Sequence, residues 1–305
     1  MVKYHSRVNR IRINKSDKVF DVLITLIAIT GLLIVLYPLM HVVACSFSSA
    51  KAVQSGRVSF YPVDFSTQAY EVVFDYKDIW IGYLNTIMYT VVGTTLNVVF
   101  TILAAYPFSR KDLIGRGIIM KIYVFTMLFS GGLIPSYLLV KNLHLLNTSW
   151  SLWLPGLLSV YNVIVMKTYY QTTIPNELLE SAQIDGCSNR RFLWSVVIPL
   201  SGAIIAVMVL FYGIGHWNNY FSAMLYITDK SKYPLQLFLR EILIANTVDY
   251  TSLSGSEIKE LLKKQEMKLL LKYSLIVVSS FPMLCIYSFV QKYFVKGVMI
   301  GSLKG

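Results

Sequence analysis

Six stretches of the chain are long and almost free of charge: Val19–Cys45, Ile81–Phe108, Ile118–Val140, Trp150–Tyr170, Val196–Trp217 and Tyr273–Phe294. A bilayer's hydrocarbon core takes about 20 mostly apolar residues per helix. The pattern therefore predicts six membrane-spanning helices. Gly131, Gly132 and Pro135 interrupt the third stretch and Pro155 the fourth, which membrane helices tolerate when neighbours satisfy the freed backbone groups. Two polar connectors, Ser46–Trp80 and Asn218–Lys272, show no regular period and read as irregular outer segments. Within the second, Ile258, Leu261, Leu262 and Leu269 share one helical face, and Glu260 lies four residues before Lys264. A surface helix leading into the sixth span is the plain reading of that stretch, and a docking surface for an external partner the sharper one.

Composition agrees with the pattern. The 305 residues are 55% hydrophobic and 14% charged, against about 25% charged in a soluble domain. The net charge of +12 would suggest nucleic acid in a soluble protein. Here the basic residues flank apolar runs, as cytoplasmic loops do, so no nucleic-acid partner is expected. One side collects Lys3, Arg7, Arg10, Arg12, Lys15 and Lys18, then Arg110, Lys111, Arg116 and Lys121, then Lys167, Arg190 and Arg191, then Lys292, Lys296 and Lys304. The other side has only Lys51, Arg57, Lys77 and Lys141 in its first two loops. This bias predicts both termini in the cytoplasm. The basic tail, apolar run and Val42-Val43-Ala44-Cys45 resemble a lipoprotein signal, but the run exceeds the roughly 7–15 residues of such a signal. Cys45, Cys187 and Cys285 have no metal-binding spacing and read as small apolar residues.

The connector between the fourth and fifth stretches, residues 174–200, carries the most specific pattern. Pro175 suits the first turn of a helix, Gly186 a left-handed cap, and Ser188 the start of a second helix running through Phe192 into the fifth span. The expected product is a rigid cytoplasmic elbow. Glu180-Ser181-Ala182-x-x-Asp185-Gly186, followed by Phe192 and Ile198-Pro199, closely resembles the EAA loop of ABC importer permeases, in its carbohydrate branch. Ser181 and Cys187 stand where that branch has alanine. Phe65-Ser-Thr-Gln-Ala-Tyr70, Asn85-Thr86 and the glycine-ended tail Lys296–Gly305 extend the resemblance to the maltose-type G subunit, and the tail is most similar to Gram-positive complex-oligosaccharide permeases of the lipoprotein-type permease C group.

That resemblance implies an all-α membrane protein with the type I importer fold. Residues 1–305 would form one permease domain, with a coupling loop at 174–200, an external loop at 218–272 and a cytoplasmic tail at 295–305. It implies a second homologous permease, two ATPase subunits, an extracellular solute-binding lipoprotein, and the plasma membrane of a Gram-positive bacterium. The chain has no G-x-x-x-x-G-K-[ST], so ATP and Mg would bind the ATPases and no cofactor this chain. Glu180, Ser181, Ala182, Asp185, Gly186, Phe192 and Pro199 would couple to the ATPase. Gly301, Ser302, Leu303, Lys304 and Gly305 would reach the ATPase interface. Saccharides are gripped by aromatic faces, amides and hydroxyls, which makes Tyr89, Asn97, Tyr137, Tyr161, Asn162, Tyr212, His216, Trp217 and Asn218 candidates for the path. Trp217 also fits an interfacial belt. The six spans hold essentially no acidic residue, which argues against an ion-coupled secondary transporter, and no nucleophile or metal set argues for an enzyme. An ABC permease for another solute is the runner-up.

Overall fold

The structure is a computed structural model that describes residues 15–244 and 268–288, with Glu266 and Gln291 beside them. The tail at 295–305 and residues 257–265 and 267 of the expected 257–271 helix lie outside the described residues. Among the described residues the chain is helical, and its only β-type pairing is the isolated bridge between Ser48 and Phe65.

The N-terminal helix α1 (Lys15–Ser46) shows every side chain from residue 16 to residue 40 on the surface. An apolar helix exposed all round is built for lipid or for another subunit. Its C-terminal end is anchored: Ala44 and Cys45 are buried, and the Cys45 Sγ lies 3.5 Å from His41 Nε2, a histidine one turn back on the same helix. The connector after α1 is not irregular. It folds as α2 (Ala50–Gln54) and α3 (Gln68–Asp75), because Ala52, Ala69 and Val73 bury apolar faces and Tyr70 shares a 2.8 Å hydrogen bond with Ser46.

Helix α4 (Lys77–Ser109) is the axis of the fold. At 1.5 Å per residue its 33 residues rise about 50 Å, enough to cross a membrane with a turn or more to spare at each end. Along it runs a stripe of small and hydroxyl residues, including Gly82, Thr86, Gly93, Thr94 and Thr101. Such a stripe lets neighbouring backbones approach closely.

The third and fourth apolar stretches are broken helices. Helices α5 (Arg116–Leu128) and α6 (Leu133–Asn142) meet at 110° across Gly131-Gly132, where Gly132 has φ +90°. In the fourth, α7 (Trp150–Trp153) stops at Pro155 and α8 starts at Val160 and ends at Thr173. The 14 residues of α8 rise only about 21 Å. After the short α9 (Asn176–Ile184) comes α10 (Asn189–Leu200), which bends by 81° into α11 (Gly202–Trp217). The final apolar helix, α14 (Lys268–Ser288), closes the set. Among the described residues three helices, α1, α4 and α14, are long and apolar enough to cross a membrane singly.

The expected irregular loop after Trp217 is also a correction. It contains α12 (Phe221–Tyr226) and α13 (Leu235–Ile244), because buried Ala223, Leu235 and Leu237 seat these helices against α4 and α7.

Candidate functional site

The elbow at residues 174–200 folds nearly as its residues dictate. Pro175 stands just before α9 instead of inside its first turn. At the other end the Cys187 N–H donates to the Ala182 carbonyl at 2.8 Å and the Gly186 N–H to the Gln183 carbonyl at 3.0 Å. This pair of bonds is the Schellman termination, which needs a left-handed residue between them. Gly186 supplies it at φ +70°, a backbone state that costs a side-chain-bearing residue about 1–2 kcal/mol. Ser188 then caps α10 by accepting from the Arg191 N–H at 3.4 Å.

Helix α10 is not purely α-helical. Leu193–Val197 forms a π turn directly before Pro199. Proline lacks the N–H of a regular turn and its ring collides with the carbonyl four residues earlier, here Ser195. Widening the turn relieves both problems, and the helix bends at Ser201, where the hydroxyl donates to the Val197 carbonyl at 2.6 Å.

The elbow has two faces. Phe192, 3% exposed, and Leu193 insert among Ala105, Tyr106 and Phe108 of α4 and Met166 and Tyr170 of α8. Ala182 and Cys187 rest on the same cluster. On the other face Glu180, Ser181, Asp185 and Gly186 are exposed, with Ile184 at 87% and Trp194 at 63%. Apolar side chains held this far into solvent mark a surface meant to be covered.

Between the elbow and the end of α4 lies a cavity of about 400 Å³ lined by Arg110, Glu180, Gln183, Tyr106 and Asn176, among others. The Arg110 guanidinium donates to both Asp112 carboxylate oxygens at 2.9 Å. These bonds hold the Asp112 carboxyl below the usual carboxylate range and raise the Arg110 guanidinium further. Arg110 also reaches the Tyr106 hydroxyl, and that hydroxyl the Asn189 carbonyl, each at 3.5 Å.

The residues expected along the path divide into two groups. Asn97 is buried and donates to the Gly156 and Leu157 carbonyls at 2.7 and 2.8 Å, while its Oδ1 lies 2.6 Å from His216 Nε2. It thereby satisfies backbone groups freed where the fourth stretch breaks. Tyr212 shares 2.8 Å with Thr101 and accepts from the Ser159 N–H at 3.3 Å. Tyr89 donates to the Lys232 carbonyl at 2.9 Å, and Trp217 to the Ser279 carbonyl at 3.0 Å. These four polar groups are occupied within the chain. Asn162 is also buried. Tyr161 is exposed, Tyr137 stacks on Tyr226 with centroids 6.2 Å apart, and Asn218 is exposed and lines a second polar cavity. Sequence reasoning missed Arg240, which lines that same cavity. Its signal was an arginine within a mostly apolar helical run, Leu235–Ile244, whose other polar residues are Gln236 and Glu241. Among the described residues no group of three or more histidine, cysteine, aspartate or glutamate side chains is placed to hold a metal.

The class defined by these features is an all-helical membrane protein with a capped two-helix elbow at one end of a long axial helix. The comparisons narrow the class. No family model matches the chain. It is 39% identical to the polygalacturonan/rhamnogalacturonan transport system permease protein YtcP of Bacillus subtilis over 95% of this chain and 99% of that one. It is 38% identical to the Bacillus subtilis protein LplC over the full length of both. A crystal structure of a bacterial ABC transporter involved in the import of the acidic polysaccharide alginate contains a chain with TM-score 0.82 and 32% identity, over 92% of this chain and 98% of that one. The protein belongs to the sugar permeases of the ABC importers, as an integral membrane subunit of such a system.

Proposed function

We propose that this chain is one of two related permeases in an ATP-driven importer of acidic oligosaccharides, and that the elbow at 174–200 couples it to an ATPase. The observation that carries the reading is the two-faced elbow: one face is packed into the transmembrane core through Phe192 and Leu193, and the other exposes Glu180, Asp185 and Ile184. The charge bias of the sequence supports six spans with both termini in the cytoplasm, an orientation that puts the elbow inside the cell. Two ATPases, one carrying this elbow in a surface groove, bind ATP and Mg and close upon each other. The Schellman turn at Gly186 keeps α9 and α10 rigid relative to each other, so the closing motion is delivered to α4, α8 and α11 and turns the path outward. The C-terminal residues Gly301–Gly305 reach the ATPase interface, and an external lipoprotein delivers the cargo. The bare face of α1 meets lipid or the second permease. The plasma membrane of a Gram-positive cell fits the Bacillus subtilis relatives. An acidic cargo follows from the polygalacturonan and alginate systems to which the chain is similar.

The test uses the assembled transporter. Glu180→Lys and Gly186→Pro should each abolish uptake while the protein remains in the membrane, because proline cannot adopt the left-handed φ of residue 186. Normal ATP-coupled uptake in both variants would sink the coupling role.

A further inference from the structure

Toward the end of α4 opposite the elbow lies a second cavity, of about 450 Å³, between the end of α11, helix α13 and helix α14. Asn218, Tyr220, Gln236, Arg240, Ser279 and Ser280 line it beside the apolar Leu239 and Ile276. Its floor is fixed by the Trp217 hydrogen bond to the Ser279 carbonyl at 3.0 Å. The Arg240 guanidinium lies over the Tyr220 ring at 5.8 Å. A cation–π contact of this kind uses the charge of the guanidinium and none of its N–H donors.

Among the described residues, buried Arg110 and half-buried Arg240 differ in one respect. Arg110 spends its fork on Asp112. Arg240 has no carboxylate partner among the described residues, whose ion pairs are Arg57–Asp64, Arg110–Asp112 and Lys232–Asp229. A charge withdrawn from water without a counter-ion is costly. An arginine edge flanked by amides and hydroxyls and backed by an aromatic ring matches a sugar ring that bears a carboxylate. The guanidinium takes the carboxylate in a bidentate pair. Gln236, Ser280 and the Asn218 side-chain oxygen take hydroxyls, since the Asn218 amide donates to the Ile214 carbonyl at 2.9 Å and the Ser279 hydroxyl to the Ile276 carbonyl at 3.1 Å. The cavities lined by Phe47, Phe74 and Trp80, and by Val91, Val209 and Met283, are apolar and offer an acidic sugar nothing.

We infer that Arg240, with Tyr220, Gln236 and Asn218, forms a recognition site for a uronate carboxylate of the passing saccharide. The inference rests on the acidic-oligosaccharide reading above and assigns the discrimination to this chain at this site.

The assembled importer, with its partner permease, ATPases and binding protein, is reconstituted in vesicles and given trigalacturonate. Initial uptake should fall about tenfold or more in Arg240→Gln, the scale of one lost charged hydrogen-bonding partner. It should be partly restored in Arg240→Lys and be lowest in Arg240→Glu, while ATPase stimulation by the loaded binding protein is unchanged in all three. Equal uptake across the series overturns the site. So does a loss that follows ATPase stimulation or assembly, which would make Arg240 structural. The series is repeated in pure phosphatidylcholine and with added phosphatidylglycerol; a loss seen only with the anionic lipid assigns Arg240 to a lipid headgroup and also overturns the site. A wild-type transporter that imports no trigalacturonate instead overturns the acidic-cargo reading itself.

Discussion

The two ends of α4 are held by different physics. At the end near Lys77, side chains of α4 pin the segment Ser231–Leu235 with short hydrogen bonds. Asn85 donates to the Ser231 and Tyr233 carbonyls at 2.8 and 3.1 Å, Thr86 accepts from the Leu235 N–H at 2.8 Å, and Tyr89 donates to the Lys232 carbonyl at 2.9 Å. At the end near Ser109, the elbow is held mainly by apolar insertion of Phe192 and Leu193, and its polar links through Tyr106 are 3.5 Å long. Directional bonds fix a geometry, whereas apolar contacts are non-directional and survive a small rotation or slide. A coupling element, as proposed for the elbow, must move its helices without letting go of them, so grease suits that end. The opposite end, next to the proposed recognition site, is held by directional bonds.

The largest expected effect comes from removing the grease. Phe192→Ala deletes a ring that is 3% exposed within the main apolar cluster. It should cost about 3–5 kcal/mol, as core aromatic truncations do, read as a lowered unfolding temperature of the purified complex. Uptake should fall further than assembly. A loss below about 1 kcal/mol would mean that the elbow is carried by its polar links.

The middle of α4 shows how far the rigid region extends. A Cβ on Gly93 would lie 2.6 Å from the His216 ring, and that ring holds Asn97, which in turn holds the broken fourth stretch. Gly93→Ala should therefore cost about 1–3 kcal/mol by overpacking. Adding His216→Ala should recover part of it, since the obstructing ring is gone. No recovery in the double variant would show that the strain falls elsewhere along α4.

At the pinned end, Asn85→Ala removes the donor to two carbonyls at once. The expected cost is about 1–3 kcal/mol, with faster hydrogen exchange confined to residues near 231–235. Exchange that quickens at the elbow as well would mean that the two ends are not mechanically separate.

Much of this contrast was legible in the sequence at the elbow and little of it at the opposite end. Gly186, Ser188 and the apolar spacing of Phe192 and Leu193 act on neighbours within a few residues, and local rules found them. The 218–244 segment read as irregular because α12 and α13 are short, and the approach to α13 is fixed by Asn85, Thr86 and Tyr89, more than 140 residues earlier. Partners 59 to 111 residues away likewise explain Asn97, Tyr212 and Trp217. As types they suit a sugar path, yet their polar atoms are engaged by Gly156, Thr101 and Ser279. A sequence shows what a side chain offers, and only the fold shows which partner takes it. The broken third and fourth stretches were marked by Gly131-Gly132 and Pro155, but the 110° bend was not.

The smallest expected effect separates the two ends most sharply. Tyr106→Phe removes the hydroxyl that links Arg110 to the Asn189 carbonyl, and each of these links is 3.5 Å long. Bonds at that length contribute little. The ring itself stays in the apolar cluster, and Arg110 keeps its two bonds to Asp112. Stability should change by less than about 0.5 kcal/mol, against about 1–3 kcal/mol for Asn85→Ala at the other end, and uptake should be nearly unaltered. The informative outcome is the reverse ranking. A Tyr106→Phe variant that loses uptake while keeping its stability would make the Arg110–Tyr106–Asn189 chain a rigid strut of the coupling motion. Force would then enter α4 through polar links, and the apolar contact at Phe192 would serve only to hold the elbow in place.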